Sequence, residues 1–236
     1  GEEDTMVYLF EGPIAGQLEP SDALARVKSS NLTDWGIWDT QLAIDAGGDV
    51  NGDGVDDLLI AMKTASPDFD GYLGGIGYLL FSPYSHEIEI ETQAGMVVDG
   101  ENGPTHMGYA VSLGDADGDQ FADAIFGATE GVQDRGYGYF FPGSGAVGIG
   151  QITTDAVSIT LEGADVGSCA GYQAVLGKDI NGDGYGDLLI GALYTDGDPD
   201  APGLTHLVLG KVTTSLDLSQ ADGTFIGPVG THWNSI

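Results

Sequence analysis

The chain has 236 residues, 42% of them apolar and 9% aromatic, with 6 Lys and Arg against 37 Asp and Glu and a net charge of -31. That length and apolar content specify a folded chain with a substantial core in one or two domains, despite the charge. The acidity excludes nucleic-acid binding through phosphate neutralisation and disfavours anionic membrane surfaces, leaving bound divalent cations or adaptation to salt as its two readings.

Taken in chain order, "MVYLFEGP" (6–13) and "ALARVKSS" (23–30) read as strands. "TQLAIDA" (40–46) follows, then the polar loop "GDVNGDGVD" (48–56) and the compact apolar run "DLLIAM" (57–62). "GIGYLLF" (75–81) comes next, after a loop rich in Gly, Asp and Pro, and the more alternating "HEIEIET" (86–92) closes the unit. The same grammar recurs in "GYAVSL", "DAIFGA", "GYGYFF" and "DAVSITL", and again in "GYQAVL", "DLLIGA", "GLTHLVLG" and "TSLDLS". No segment carries a 3.6-residue apolar period, so all of these read as short strands between turn residues.

The polar loops begin at Asp49, Asp115 and Asp179, spaced by 66 and 64 residues. A steady period means one supersecondary unit repeated. In "GIGYLLF", Ile76, Tyr78 and Leu80 point one way while Leu79 and Phe81 point the other. Both faces are apolar, so the sheet needs cover on both sides. Stacked four-stranded antiparallel sheets, the blades of a β-propeller, provide it. A sandwich of the same strands explains the period less well.

The loop followed by "DLLIGA", with "GY" about eight residues ahead of the loop, resembles the FG-GAP repeat of integrin α-chain propellers, a repeat also found in secreted bacterial proteins. The resemblance covers nearly the whole chain. It implies an all-β fold: residues 1–30 end a preceding blade, 31–98, 99–164 and 165–227 form three repeats, and 228–236 ("THWNSI" at 231–236) begin a following blade. A seven-bladed disc of such units needs about 455 residues, so the resemblance implies a partial propeller completed by further chain or by a second chain. Unit 1 departs from the pattern in its longer approach, "WGIWDTQLAIDAGG", and unit 2 in carrying Gln120 where the other loops have Gly54 and Gly184.

By the same resemblance, each loop is a calcium site. The implied ligands are Asp49, Asn51, Asp53, the Val55 carbonyl and Asp57; Asp115, Asp117, Asp119, the Phe121 carbonyl and Asp123; and Asp179, Asn181, Asp183, the Tyr185 carbonyl and Asp187. The chemistry agrees, since hard carboxylate and amide oxygens alternating with tight-turn glycines converge on a cation that accepts six to eight of them. Polar hairpin turns are the alternative for any one loop, and three matching loops at constant spacing argue against it. An EF-hand would place a bidentate Glu at position twelve, where this chain has Ile60, Phe126 and Ile190 inside strands. Gln120 is expected to strain its turn.

The family likeness implies an extracellular, cell-surface or periplasmic interaction or adhesion module with about three structural Ca2+ ions. Its partner, a protein or glycan, would meet the second-to-third-strand loops at 63–75, 129–138 and 193–203. The alternatives are a non-catalytic part of a secreted lyase or phospholipase, or a spacer in a surface array. No catalytic constellation is legible: His86, His106, His206 and His232 share no motif, and "GSG" (143–145) is a turn rather than a nucleophile elbow. Cys169 reads as a small buried hydrophobe, Asn31-Leu32-Thr33 is a glycosylation sequon, and "GEEDTMVYLF" has no basic n-region of a signal peptide. No apolar stretch is long enough for a membrane span.

Overall fold

The computed structural model describes the chain except for residues 1–4, 30–41, 64–73, 85, 101–104, 145–149, 154–156, 158, 195–200 and 229–236. The sequon, the tail "THWNSI" and most of the first and third contact loops therefore lie outside the described residues.

The three repeats become three sheets built on the same plan. β3 (Leu42–Gly48), β4 (Asp57–Met62) and β5 (Ile76–Leu80) are successive antiparallel neighbours, followed by β7 (Met96–Asp99). The second sheet repeats this with β8 (Met107–Gly114), β9 (Asp123–Ala128), β10 (Tyr137–Phe141) and β12 (Ile159–Glu162). The third has β13 (Ala170–Lys178), β14 (Asp187–Ala192), β15 (Leu204–Val208) and β17 (Gly223–Ile226). Ahead of them, β1 (Thr5–Leu9) pairs antiparallel with β2 (Ala25–Lys28). The fold is all-β, with, among the described residues, one four-residue helix, α1 (Ile90–Gln93), and a few 3-10 turns.

The outer strands differ from the sequence reading in two units. "HEIEIET" and "TSLDLS" are not the fourth strands of their own sheets. β6 (Glu87–Glu89) leaves its unit and pairs parallel with β2 of the preceding sheet, after which α1 turns the chain back into β7. β16 (Leu216–Asp217) likewise pairs parallel with β12 of the second sheet, and the true fourth strand of the third is β17. In the second unit β11 (Gly150–Thr153) does the same to β7. Each third-to-fourth connection thus adds a parallel outermost strand to the sheet before it, the third strand of the N-terminal sheet and the fifth of the first two blades. Alternating polar residues suit a half-exposed edge strand in either sheet, so the pattern could not say which sheet it joins.

The core is a stack of apolar layers between sheets. Ile76, Tyr78 and Leu80 pack with Ala25 and Val27 of the N-terminal sheet, while Leu79, on the opposite face of β5, packs with Val111, Phe126 and Tyr139 of the second blade. Ile125, Phe140 and Leu161 on the far face of that blade meet Ala174, Leu188 and Ile190 of the third. Alternate side chains of one strand therefore serve two different cores.

Polar links join the first strands. The Leu176 N–H donates to Ser112 Oγ (3.1 Å), Ser112 Oγ donates to Asp45 Oδ2 (3.2 Å), and the Leu113 N–H donates to the same oxygen (2.8 Å), so one chain of hydrogen bonds crosses β13, β8 and β3. Backbones also come close: a Cβ on Gly127 would lie 2.0 Å from the Gly171 carbonyl oxygen of the next blade. Gly127→Ala is expected to cost about 1–3 kcal/mol through this overlap with a main-chain atom that cannot swing away. Chemical denaturation measures it, and an unchanged midpoint would mean the blades are not in contact there.

Candidate metal loops and the opposite face

Each polar loop joins the first strand of its blade to the second and is shaped by its own side chains. Asp49 Oδ1 accepts the Gly52 N–H (2.6 Å) and its Oδ2 the Gly54 N–H (2.8 Å). Asn51 Oδ1 accepts the Asp53 N–H (2.9 Å), and Asp53 Oδ1 accepts the Val55 N–H (2.9 Å). Loop 2 repeats these contacts, with Asp115 accepting from Gly118 and Gln120, Asp117 from Asp119, and Asp119 from Phe121. Loop 3 repeats them with Asp179, Asn181 and Asp183 as acceptors. The Gly184 N–H, helped by those of Gly182 and Asp183, holds the Asp179 carboxyl below its usual range.

The last aspartate of each loop is the structural clamp. Asp57, Asp123 and Asp187 are buried at the start of their second strands. One oxygen of each accepts the N–H of the loop's second residue: Val50 (2.9 Å), Ala116 (2.8 Å) or Ile180 (2.7 Å). The other accepts an N–H just past the third strand: Ser82 (3.1 Å), Gly143 (2.8 Å) or Gly210 (2.9 Å). One carboxylate thereby ties the loop and two strand ends together. Burial drives the Asp123 carboxyl up to about 7 against the pull of the Gly143 and Ala116 N–H donors, with Asp117 and Asp119 adding repulsion. Burial also raises Asp57.

Loop 2 brings three carboxylates together: Asp115, Asp117 and Asp123 each offer an oxygen within 4.8 Å of the others. Loops 1 and 3 place an amide, Asn51 or Asn181, where loop 2 has Asp117. The donor set is hard oxygen throughout, and carboxylates this close repel unless a proton or cation lies among them. Gln120 adopts φ +77°, beside +90° for Gly54 and +95° for Gly184, so the one side chain at this turn position takes a conformation that favours glycine.

A second cluster lies at the opposite end of the strands. Lys63, at the end of β4, places Nζ 4.3 Å from the centre of the Tyr109 ring. Tyr109 packs against Tyr172 at 5.2 Å between centroids, and burial raises the Tyr172 hydroxyl above its usual value. His106 Nδ1 lies 2.8 Å from Glu130 Oε1 beside this group. The sequence reading used the two "GY" pairs only as repeat markers. Their convergence depends on neighbouring first strands meeting, for which the local sequence carries no signal. Of the other histidines, His206 is buried on β15 with Nδ1 3.2 Å from Thr224 Oγ1, and His232 lies outside the described residues.

Comparison with known proteins agrees with this architecture. Residues 170–203, which hold the first two strands and the loop of the third blade, match the FG-GAP repeat. Over 155 residues, 63% of the chain, it is 34% identical to integrin alpha-PS2 of Drosophila melanogaster. It is 30% identical over 151 residues to integrin alpha-5 of Xenopus laevis. The matched segments span 11% and 14% of those two relatives.

Two outcomes follow from the loops. Gln120→Gly is expected to raise stability by about 1 kcal/mol, relief of a left-handed side chain outweighing the extra freedom of glycine when unfolded; a fall in melting temperature would contradict it. Asp123 binds its proton more tightly folded than unfolded, so its contribution is present below about pH 4 and is lost as pH rises through about 7. In chelator, the denaturation midpoint is therefore expected to fall across that window. A chelated chain that gains stability over the same window would show that Asp123 does not govern it.

Proposed function

We propose that this chain, which carries the FG-GAP repeat and is similar to integrin alpha chains, is a non-catalytic, calcium-stabilised interaction module of the adhesion type, working outside the cell or in a periplasm where calcium is abundant. Three repeats, each with its own cation loop, form part of a larger propeller. The convergence of Asp115, Asp117 and Asp123 carries the reading.

In each loop the first, third and fifth side chains, the carbonyl of the seventh residue and the ninth-position aspartate supply the ligands. The assignment is Asp49, Asn51, Asp53, Val55 and Asp57 in the first loop, with Asp115, Asp117, Asp119, Phe121 and Asp123 in the second. In the third it is Asp179, Asn181, Asp183, Tyr185 and Asp187. The aspartates that already hold backbone N–H groups keep lone pairs for a cation, so the ion completes a loop that the chain has pre-shaped. Its role is structural, replacing repulsion among carboxylates with shared coordination. The partner meets the opposite end of the blades, at the Lys63–Tyr109–Tyr172 group and the neighbouring loop at 129–138.

Thermal melts in chelator, millimolar calcium and millimolar magnesium at fixed ionic strength test this. Calcium at one hundred times its dissociation constant adds about 2.7 kcal/mol per site, so a calcium-specific rise in melting temperature is expected. Asp115→Asn with Asp117→Asn is expected to remove a large share of it. Coincident melts, with no calcium retained after dialysis, would reduce the loops to polar turns.

A further inference from the structure

We propose that neighbouring cation loops are coupled, so that filling one raises the affinity of the next through a single peptide unit that serves both. This coupling rests on the calcium reading of the loops and sets how the three sites fill.

The peptide unit that joins Phe121 to Ala122 is trans, so its C=O and N–H point in opposite directions. Its N–H donates to the main-chain oxygen of Asp49, the first residue of loop 1 (2.8 Å). Its C=O is the seventh-position oxygen assigned above to the cation of loop 2. The unit that joins Tyr185 to Gly186 repeats the arrangement one junction on. There the N–H donates to the main-chain oxygen of Asp115 (2.9 Å), and the C=O is the oxygen assigned to loop 3. Each junction therefore holds one rigid plane with a ligand on one edge and the anchor of the preceding loop on the other.

Two further contacts run beside this plane. The Gly143 N–H is held by the Asp123 carboxylate, and the next N–H, that of Ser144, donates to the Val50 carbonyl (3.2 Å). The Val50 N–H in turn donates to Asp57, so the clamp aspartates of adjacent blades are joined through main-chain groups. The Val212 N–H to the Ala116 carbonyl (3.4 Å) makes the equivalent link between Asp187 and Asp123. The other contact is aromatic. A Cβ on Gly52 would lie 2.2 Å from the Phe121 ring, and one on Gly118 would lie 2.5 Å from the Tyr185 ring. The seventh residue of each loop thus covers the fourth residue of the loop before it.

Two effects of opposite sign act between such loops. Positive charge arriving at one loop weakens the negative potential that draws a cation to its neighbour. Against this, a cation drawing on the Phe121 carbonyl polarises that peptide unit and strengthens its N–H bond to Asp49. It also fixes the plane and the ring on which loop 1 rests, so loop 1 is ordered before its own cation arrives. The loop tips are exposed, and charge effects there fade over a Debye length, about 8 Å at 0.15 M salt. Hydrogen bonds and ring packing are not screened in this way. The contact effect therefore wins, and neighbouring loops fill cooperatively.

The test is a chelator-buffered calcium titration read at the amide signals of Gly54, Gln120 and Gly184, each of which donates to the first aspartate of its own loop. The Gln120 signal is expected to follow a curve steeper than a single-site isotherm at about 0.15 M salt, and to keep that steepness at about 1 M, where the Debye length is about 3 Å. Asp179→Asn with Asp183→Asn is expected to raise the calcium concentration at the Gln120 midpoint at least about fivefold, and to move the Gly54 midpoint less. Asp115→Asn with Asp117→Asn is expected to weaken loop 3 in return, since linkage is reciprocal. The wild-type curves decide the matter even where a variant fails to fold. Single-site curves at all three amides, or curves shallower than single-site at both salts, overturn the coupling and leave the calcium reading standing. No calcium-dependent shift at any of the three amides removes both.

Discussion

Everything in this structure depends on the need to bury both faces of every sheet. Tyr78 and Leu79 are adjacent in β5, point to opposite faces and are both fully buried, one against the N-terminal sheet and the other against the second blade. Such a sheet cannot stand alone in water, because either bare face would expose a layer of large apolar side chains. Stability is therefore shared between neighbours, as in other repeat architectures. Glycines at the inner strands, such as Gly127 against Gly171, let adjoining backbones come close, and the Leu176–Ser112–Asp45 hydrogen bonds link neighbouring first strands.

Strand exchange at the outer edge adds a second kind of coupling. The connection that leaves β5, β10 or β15 crosses to the preceding blade before returning to complete its own. Each blade is thus clasped by the next at its rim as well as packed against it near the axis. Order passes along the chain in one direction, since the following unit supplies the outermost strand. The same device covers outer strand edges that would otherwise be open to association.

The loops use a related economy of parts. A buried aspartate gathers the N–H groups of its own loop and of the third strand, while the aspartates ahead of it fold the loop around their own oxygens. Charge is concentrated by the geometry that shapes the turn. Aromatic residues at the seventh position then tie one loop to the next, so the row of loops follows the row of blades.

Much of this was legible in the sequence because its causes are local. The 66- and 64-residue spacings, the alternation of oxygen ligands with glycine, and the two-faced apolar runs fix the repeat, the inner three strands of each blade and the loop residues. Gln120 stood out as the one misfit in its turn and does take a left-handed conformation. What only the tertiary structure decided was pairing between distant segments. "HEIEIET" and "TSLDLS" carry the right alternation for a strand, but alternation says which side chains share a face and not which sheet the strand joins. Likewise, the meeting of Tyr109, Tyr172 and Lys63 comes from three strands in three different blades. Their proximity is a property of how the blades stack, and no one stretch of sequence contains it.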